Sequence, residues 1–104
     1  MEMTIIFTAE AERRLREIFN YYNLNASRKV ALKIVNEIIT ETEILETKPY
    51  IGIREPLLVN RRFNYFFIII KNYKVIYRLS KELIIISTVF DTRQNPRKIS
   101  RRVK

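Results

Sequence analysis

The side chains of this 104-residue chain that could do chemistry are arginine, lysine and tyrosine. Histidine and cysteine are both absent from the sequence, which removes imidazole bases, thiolate nucleophiles and the usual ligands of zinc. A single glycine, Gly52, cannot make a glycine-rich phosphate-binding loop. What remains is a set of cations that can clamp phosphate or carboxylate groups, and tyrosines that can stack on a base or donate a proton. We therefore expect neither a metal nor a cofactor.

The candidate cations are concentrated in the second half of the chain. Residues 1–59 hold eight Lys and Arg against nine Asp and Glu, whereas residues 60–104 hold twelve against two. This asymmetry indicates a polyanionic partner such as RNA, DNA or an acidic protein segment, with a surface that only promotes solubility as the alternative. The candidate binding residues are Arg61, Arg62, Lys71, Lys74, Arg78, Arg93, Arg97 and Lys98, with Tyr65, Tyr73 and Tyr77 interleaved.

Three apolar runs must position these cations. They span residues 63–70, 73–79 and 83–90, and they are rich in aromatic and β-branched side chains, which favours strands. The charged breaks between them are too short for crossover helices, so they predict an antiparallel meander. Both faces of the meander are largely apolar, so we expect cover on both sides, from the chain or from a partner. Lys74 and Arg78 share one face of the middle strand, and we expect Arg93 to join them there.

The first half of the chain predicts a strand and two helices. Residues 3–7 form an apolar run, Thr8 can cap a helix that ends near Tyr22, and Ser27 can cap a second helix that ends at Lys48-Pro49. Residues 50–56 are expected to be a connector in which Gly52 allows a sharp turn, and residues 57–62 lead into the meander. Residues 91–104 are expected to be a basic tail, of which residues 99–104 are frayed. The prediction is one α+β domain over residues 1–104, with the order β-α-α-β-β-β and an αα-hairpin packed on a mainly antiparallel four-stranded sheet.

The N-terminal residues and the apolar runs also bear on location. Met1-Glu2-Met3-Thr4 lacks the basic start and long apolar stretch of a signal peptide. The longest apolar runs are far shorter than the ~20 residues needed to cross a bilayer. We expect a cytoplasmic protein with no membrane partner.

The order of elements, together with several short motifs, resembles the RelE/ParE superfamily of bacterial toxins. The motifs are Leu15-Arg-Glu-Ile18, Ser27 with Ala31, Leu45 to Pro49 with Gly52, Tyr73-Lys-Val-Ile-Tyr77 and Val89-Phe-Asp-Thr-Arg93. The resemblance implies the toxin of a type II toxin–antitoxin module, neutralised by an acidic antitoxin. Toxins of this superfamily either cleave mRNA on the ribosome or inhibit DNA gyrase.

The resemblance also implies roles for individual residues. Lys74 and Arg93 match catalytic cations of the nuclease branch, but Tyr65 and Phe67 stand where that branch has lysines, and Ile99 where it has a tyrosine. We therefore expect a ParE-like action on DNA gyrase or another non-catalytic action, with a ribosome-dependent mRNA endonuclease as the alternative and a non-toxic nucleic-acid-binding module as the second alternative. The antitoxin is expected to contact Leu15, Ile18 and Ile38 on the two helices.

Overall fold

The computed structural model describes residues 2–104, which form a helical hairpin packed on one face of a mixed sheet. None of the helices in this range is long and apolar enough to span a membrane. The strands and helices are β1 Thr4–Phe7, α1 Ala9–Asn25, α2 Arg28–Thr42, β2 Ile53–Arg54, β3 Phe66–Ile70, β4 Tyr73–Ser80, β5 Leu83–Asp91 and α3 Ile99–Arg102, with 3-10 turns at Glu43–Glu46, Pro56–Leu58 and Pro96–Lys98.

Side-chain caps start both long helices, as the sequence predicts. The Thr8 hydroxyl accepts a hydrogen bond from the Ala11 N–H at 3.1 Å, and the Ser27 hydroxyl accepts one from the Val30 N–H at 3.1 Å. Helix α1 runs three residues beyond the predicted end at Tyr22. Residues 23–25 include neither glycine nor proline, so nothing in the backbone stops the helix before Ala26.

The sheet has the strand order β1-β5-β4-β3-β2, in which β1 is parallel to β5 and the other pairs are antiparallel. The predicted α+β class and the meander are confirmed, but the sheet has five strands rather than four. The additional strand, β2, is two residues long and lies in the predicted connector, where it pairs with Phe66 and Phe67. A strand this short has no periodicity that a sequence could reveal. The first apolar run enters the sheet only at Phe66, because residues 63–65 lie outside the strand.

Strand β5 contains a β-bulge at Ser87. Ile76 pairs with Thr88 and Tyr77 pairs with Ile86, which leaves Ser87 as the extra residue. The Thr8 hydroxyl donates to the carbonyls of Ile86 and Ser87 at 3.0 and 3.1 Å. The start of α1 is thereby attached to β5 just where β1 ends.

Both faces of the sheet are buried, as predicted for the meander. On the helix-covered face, Leu15 and Ile38 pack against Tyr73 and Tyr77. On the opposite face, Ile99 and Val103 of the C-terminal segment belong to a second cluster. That second cluster consists of Leu58, Tyr65, Ile76, Phe90, Ile99 and Val103.

The expectation of a frayed basic tail is therefore wrong. Ile99 and Val103 are 1% and 3% exposed, and the Arg61 guanidinium donates hydrogen bonds to the carbonyls of Ser100 and Val103. Ile99 begins the short helix α3, and Val103, four residues later, directly follows its end and donates its N–H to the Ile99 carbonyl, so the two side chains can bury together.

Gly52 is required for a close approach rather than for a sharp turn, since its φ is not positive. The Tyr77 hydroxyl donates to the Pro49 carbonyl at 2.8 Å and accepts from the Gly52 N–H at 3.1 Å. A Cβ at position 52 would lie 2.8 and 2.9 Å from two ring carbons of Tyr77. The buried tyrosine thus takes the space that a side chain would need.

Candidate functional site

Lys74, a candidate catalytic residue, lies in a largely buried ion pair. Its ammonium is 2.7 Å from Glu55 Oε1 and 4.2 Å from the centre of the Phe67 ring. The Glu55 side chain is fully buried, and its other carboxylate oxygen accepts from the Leu57 N–H at 3.1 Å. A buried carboxylate needs such a partner, since an unpaired charge in the interior is costly. The contacts of Lys74 are those of a residue that holds the 56–58 turn against the sheet.

Arg93 lies on the other side of the sheet from Lys74, so the predicted convergence of Lys74, Arg78 and Arg93 is wrong. Asp91 pairs with Tyr73 across the two strands and therefore faces the helices. The Arg93 guanidinium turns back to Asp91, with Nε 3.0 Å from Oδ1 and a terminal nitrogen 2.8 Å from Oδ2. Arg93 lines a cavity of about 310 Å³ with Tyr21, Tyr73 and other residues of α1 and β5.

The ion pair of Asp91 and Arg93 shifts the pKa of both groups. The Arg93 guanidinium lowers the pKa of Asp91 although partial burial opposes it, and the Arg93 N–H and Asn72 amide add to the lowering. The Asp91 carboxylate in turn raises the pKa of Arg93. The ion pair joins Asp91, the last residue of β5, to Arg93 in the turn that follows the strand.

Tyr73 and Tyr77 are core residues and offer no surface for stacking on a base. They are 2% and 0% exposed. Burial raises the pKa of both, and for Tyr73 a hydrogen bond to the Tyr22 hydroxyl at 3.4 Å adds to the rise. That Tyr73 and Tyr77 bind a ligand stays a prediction, and their burial does not support it.

The helix residues expected to contact an antitoxin are likewise part of the core. Ile38 is 0% and Leu15 is 9% exposed, and Ile18 packs partly buried against them. A partner therefore has no access to Leu15 and Ile38 in this structure. The exposed apolar side chains of this region are Tyr21, Leu24, Val30, Leu32, Ile39 and Ile44.

The other predicted binding residues are scattered. Lys71 forms an ion pair with Glu37 of α2, which raises the pKa of Lys71 and lowers that of Glu37. Arg61 holds the C-terminal segment, as described above. Arg62 lies 5.4 Å from the centre of the Phe63 ring, and Arg97 is exposed in the turn before α3.

A groove of about 660 Å³ brings seven cationic side chains together. We call it the basic groove. One wall is the start of α1, the other is the C-terminal segment, and Arg78 of β4 and Ile85 and Ser87 of β5 lie between them. Its lining residues are Thr8, Glu10, Arg13, Arg14, Phe63, Tyr65, Arg78, Ile85, Ser87, Lys98, Arg101, Arg102, Val103 and Lys104.

The basic groove has seven cationic side chains and the single carboxylate of Glu10. Glu10 accepts from Arg13, from Arg14 at 2.7 Å and from the Thr88 hydroxyl at 3.0 Å. Partial burial opposes ionisation of Glu10, but these hydrogen bonds lower its pKa. Within residues 2–104, Arg78, Lys98, Arg101 and Lys104 form no ion pair.

Arg102 and Arg14 are close enough to affect each other across the groove. Partial burial and the charge of Arg14 lower the pKa of Arg102. Arg102 also donates to the Gln94 side chain at 2.9 Å and lies 5.1 Å from the centre of the Phe90 ring. Cations held on facing walls can bind one anionic chain from both sides.

Sequence reasoning found only part of this groove. Arg78 and Lys98 were predicted, and Arg101, Arg102 and Lys104 were included only as the basic tail. Arg13 and Arg14 were missed because they lie in the charge-balanced half of the chain. Arg13 and Arg14 reach the groove because the start of α1 is attached to β5 through Thr8. The sequence does not reveal this attachment. In the part of the chain that the structure describes, no cluster of three acidic, cysteine or histidine residues is arranged to hold a metal ion.

Comparison with known proteins defines the class of fold first. A chain in a structure titled as the chromosomal ParDE TA system from P. aeruginosa is 18% identical, with a TM-score of 0.73 over 86% of this chain and 96% of that chain. This likeness shows a shared fold. No curated protein sequence matches the chain significantly.

The sequence model of a family then matches residues 5–96, nearly the whole chain. That family is the ParE toxin of the type II toxin–antitoxin system parDE. The chain belongs to this family, and the resemblance noted in the sequence is confirmed.

Proposed function

We propose that this chain is a toxin that inhibits growth by a non-catalytic, ParE-like action on DNA gyrase in the cytoplasm, and that an acidic antitoxin neutralises it. The separation of Lys74 and Arg93 is the observation that supports a non-catalytic action. RNA cleavage at the 2′-hydroxyl needs a base, an acid and a charge clamp at one place. Here the two candidate cations lie on opposite faces of the sheet, and each is bonded to a carboxylate.

An exposed aliphatic surface on α2 and β3 supports the antitoxin part of the proposal. Leu32 and Ile39 are seven residues apart on α2 and are 42% and 37% exposed. Ile44, Ile51 and Ile69 continue this surface, and the outer edge of β3 beyond Phe67 has no paired strand within residues 2–104. Apolar anchors on a partner would supply affinity there, while its acidic residues would accelerate association with the basic chain.

The test of the target uses the induced wild-type chain. We expect growth arrest, inhibition of purified gyrase in a supercoiling assay, and no new mRNA ends on ribosomes. Codon-positioned mRNA cuts with unaffected supercoiling would instead establish the nuclease. Absence of growth arrest would favour a non-toxic binding module.

The test of neutralisation changes the aliphatic surface. Leu32→Asp with Ile39→Asp should abolish rescue by a co-expressed acidic antitoxin and leave toxicity intact, because both side chains are exposed. Leu24→Asp at the hairpin tip, where the leucine is 85% exposed, is a control for a single added carboxylate and should keep the rescue. Rescue of the double variant as complete as that of the wild type would contradict this surface.

A further inference from the structure

The basic groove contains cations from three parts of the fold, and five of its seven cations form no ion pair within residues 2–104. We propose that this groove binds the phosphate backbone of a nucleic acid. The proposal concerns a site different from the aliphatic surface assigned to the antitoxin, since none of the groove residues belongs to that surface.

The charge of the groove favours an anionic ligand. Seven cations against one carboxylate repel each other, which costs free energy unless an anion binds. A phosphate backbone suits such a site because each phosphate contact releases counterions and favours binding. Five of the seven cations are arginines, whose guanidinium groups can donate two parallel hydrogen bonds to one phosphate.

The cations lie on both walls of the groove and between them. Arg13 and Arg14 line the groove from α1, and Arg101 and Arg102 line it from α3. Arg78 lies between these walls, with its guanidinium 3.9 Å from the centre of the Phe63 ring. A strand that lies in the groove would therefore meet positive charge on both sides and beneath it.

The apolar residues of the groove indicate which of two ligands, a nucleic acid or an acidic protein, it favours. A protein segment needs pockets for apolar anchors to gain most of its affinity. Tyr65 and Val103 are 4% and 3% exposed, and Arg78 lies over the ring of Phe63. Phe63 is 39% exposed, but Arg62 and Arg78 both lie close to its ring, so we expect mainly backbone contacts with little sequence preference.

The experiment is fluorescence anisotropy with the full chain and a labelled 20-bp DNA duplex of mixed sequence, over a series of NaCl concentrations. The groove variant is Arg13→Ala with Arg101→Ala, both exposed residues of the lining. The control variant is Arg16→Ala with Lys29→Ala, which removes the same charge from exposed positions outside the groove. Thermal unfolding of both variants shows that each is folded.

We expect the groove variant to bind the duplex about tenfold or more weakly than the control variant. The slope of log K against log salt should fall in magnitude by about 1 for each lost phosphate contact. Equal losses in the two variants would overturn the proposal, because net charge alone would then explain binding.

Two further probes identify the ligand class. A labelled single-stranded RNA of the same length shows which nucleic acid supplies the preferred backbone, and tighter binding of either one supports the proposal. Polyglutamate of matched charge should bind more weakly than both; if it binds as tightly, and loses affinity in the groove variant, the groove belongs to an acidic protein. The assay contains no gyrase, so its failure would leave the proposed target unaffected.

Discussion

Lys74 illustrates at the scale of one residue how the same side chain can suggest catalysis in a sequence and stability in a structure. Its position in β4 matches a catalytic cation of related toxins by resemblance. In the structure its ammonium contacts a carboxylate that has no exposure to solvent. Removing one member of such a buried pair leaves the other charge uncompensated, which is more costly than removing both.

We therefore expect Lys74→Met to lower the free energy of unfolding by about 3–5 kcal/mol. Lys74→Met combined with Glu55→Gln should be more stable than the single variant, because the buried charge is gone as well. Lys74→Arg is the control that keeps a cation beside Glu55. Urea unfolding of the wild type, Lys74→Met, Glu55→Gln and the double variant gives the coupling energy of the pair, and additive effects of the two substitutions would contradict this account.

This prediction changes how toxicity data should be interpreted. Loss of toxicity in a Lys74→Ala chain would follow from unfolding as readily as from loss of a catalytic group. Only a variant that remains folded, such as Lys74→Arg, can test a catalytic role.

At the scale of secondary-structure elements, the sequence predicts the helices and strands that depend on local interactions. Thr8 and Ser27 cap the helices as expected, and the aromatic and β-branched runs form the meander. Elements that depend on tertiary contacts were missed. Strand β2 exists because Gly52 packs under the Tyr77 ring and lets residues 53–54 reach the sheet.

The candidate site was predicted less well than the fold for the same reason. Alternation along β4 places Lys74 and Arg78 on one face, but the chain turns after Asp91 and returns Arg93 to the other face. The apolar spacing of Ile99 and Val103 was present in the sequence, but surrounding charges obscured it. Which helix residues face outward, and hence which could meet a partner, depends on packing that the sequence alone does not show.

The C-terminal segment offers a test at this scale. Ile99→Ala should lower the free energy of unfolding by about 2–5 kcal/mol, because it leaves a cavity in the second core. Ser100→Ala, at the exposed neighbouring position, is the control and should change stability by less than about 0.5 kcal/mol. Chemical denaturation measures both. Equal stability of Ile99→Ala and the wild type would mean that the segment does not pack in solution.

At the scale of the whole molecule, positive charge is distributed unevenly over the fold. The cations of the helical hairpin are partly balanced by ion pairs such as those of Arg14 with Glu17 and Lys71 with Glu37. The basic groove is less balanced, since only Arg13 and Arg14 of its seven cations form ion pairs within residues 2–104, and the chain as a whole carries a net charge of +9. A folded chain that gathers like charges is stabilised when they are screened or bound.

Salt should consequently stabilise the free protein. The Debye length falls from about 10 Å at 0.1 M to about 3 Å at 1 M ionic strength, so repulsion across the groove weakens. Surface ion pairs weaken too, but each contributes only about 0–1 kcal/mol. We expect the thermal midpoint to rise by several degrees between low and high NaCl, since about 1 kcal/mol corresponds to roughly 4–8 °C in a domain of this size.

The two charge-matched variants show whether the groove causes this rise. Arg13→Ala with Arg101→Ala should reduce the increase in midpoint, because it removes a cation from each wall. Arg16→Ala with Lys29→Ala should leave more of it, although the net charge is the same. A midpoint that falls with salt would show that ion pairs outweigh groove repulsion, and equal increases in the two variants would assign the effect to net charge rather than to the groove.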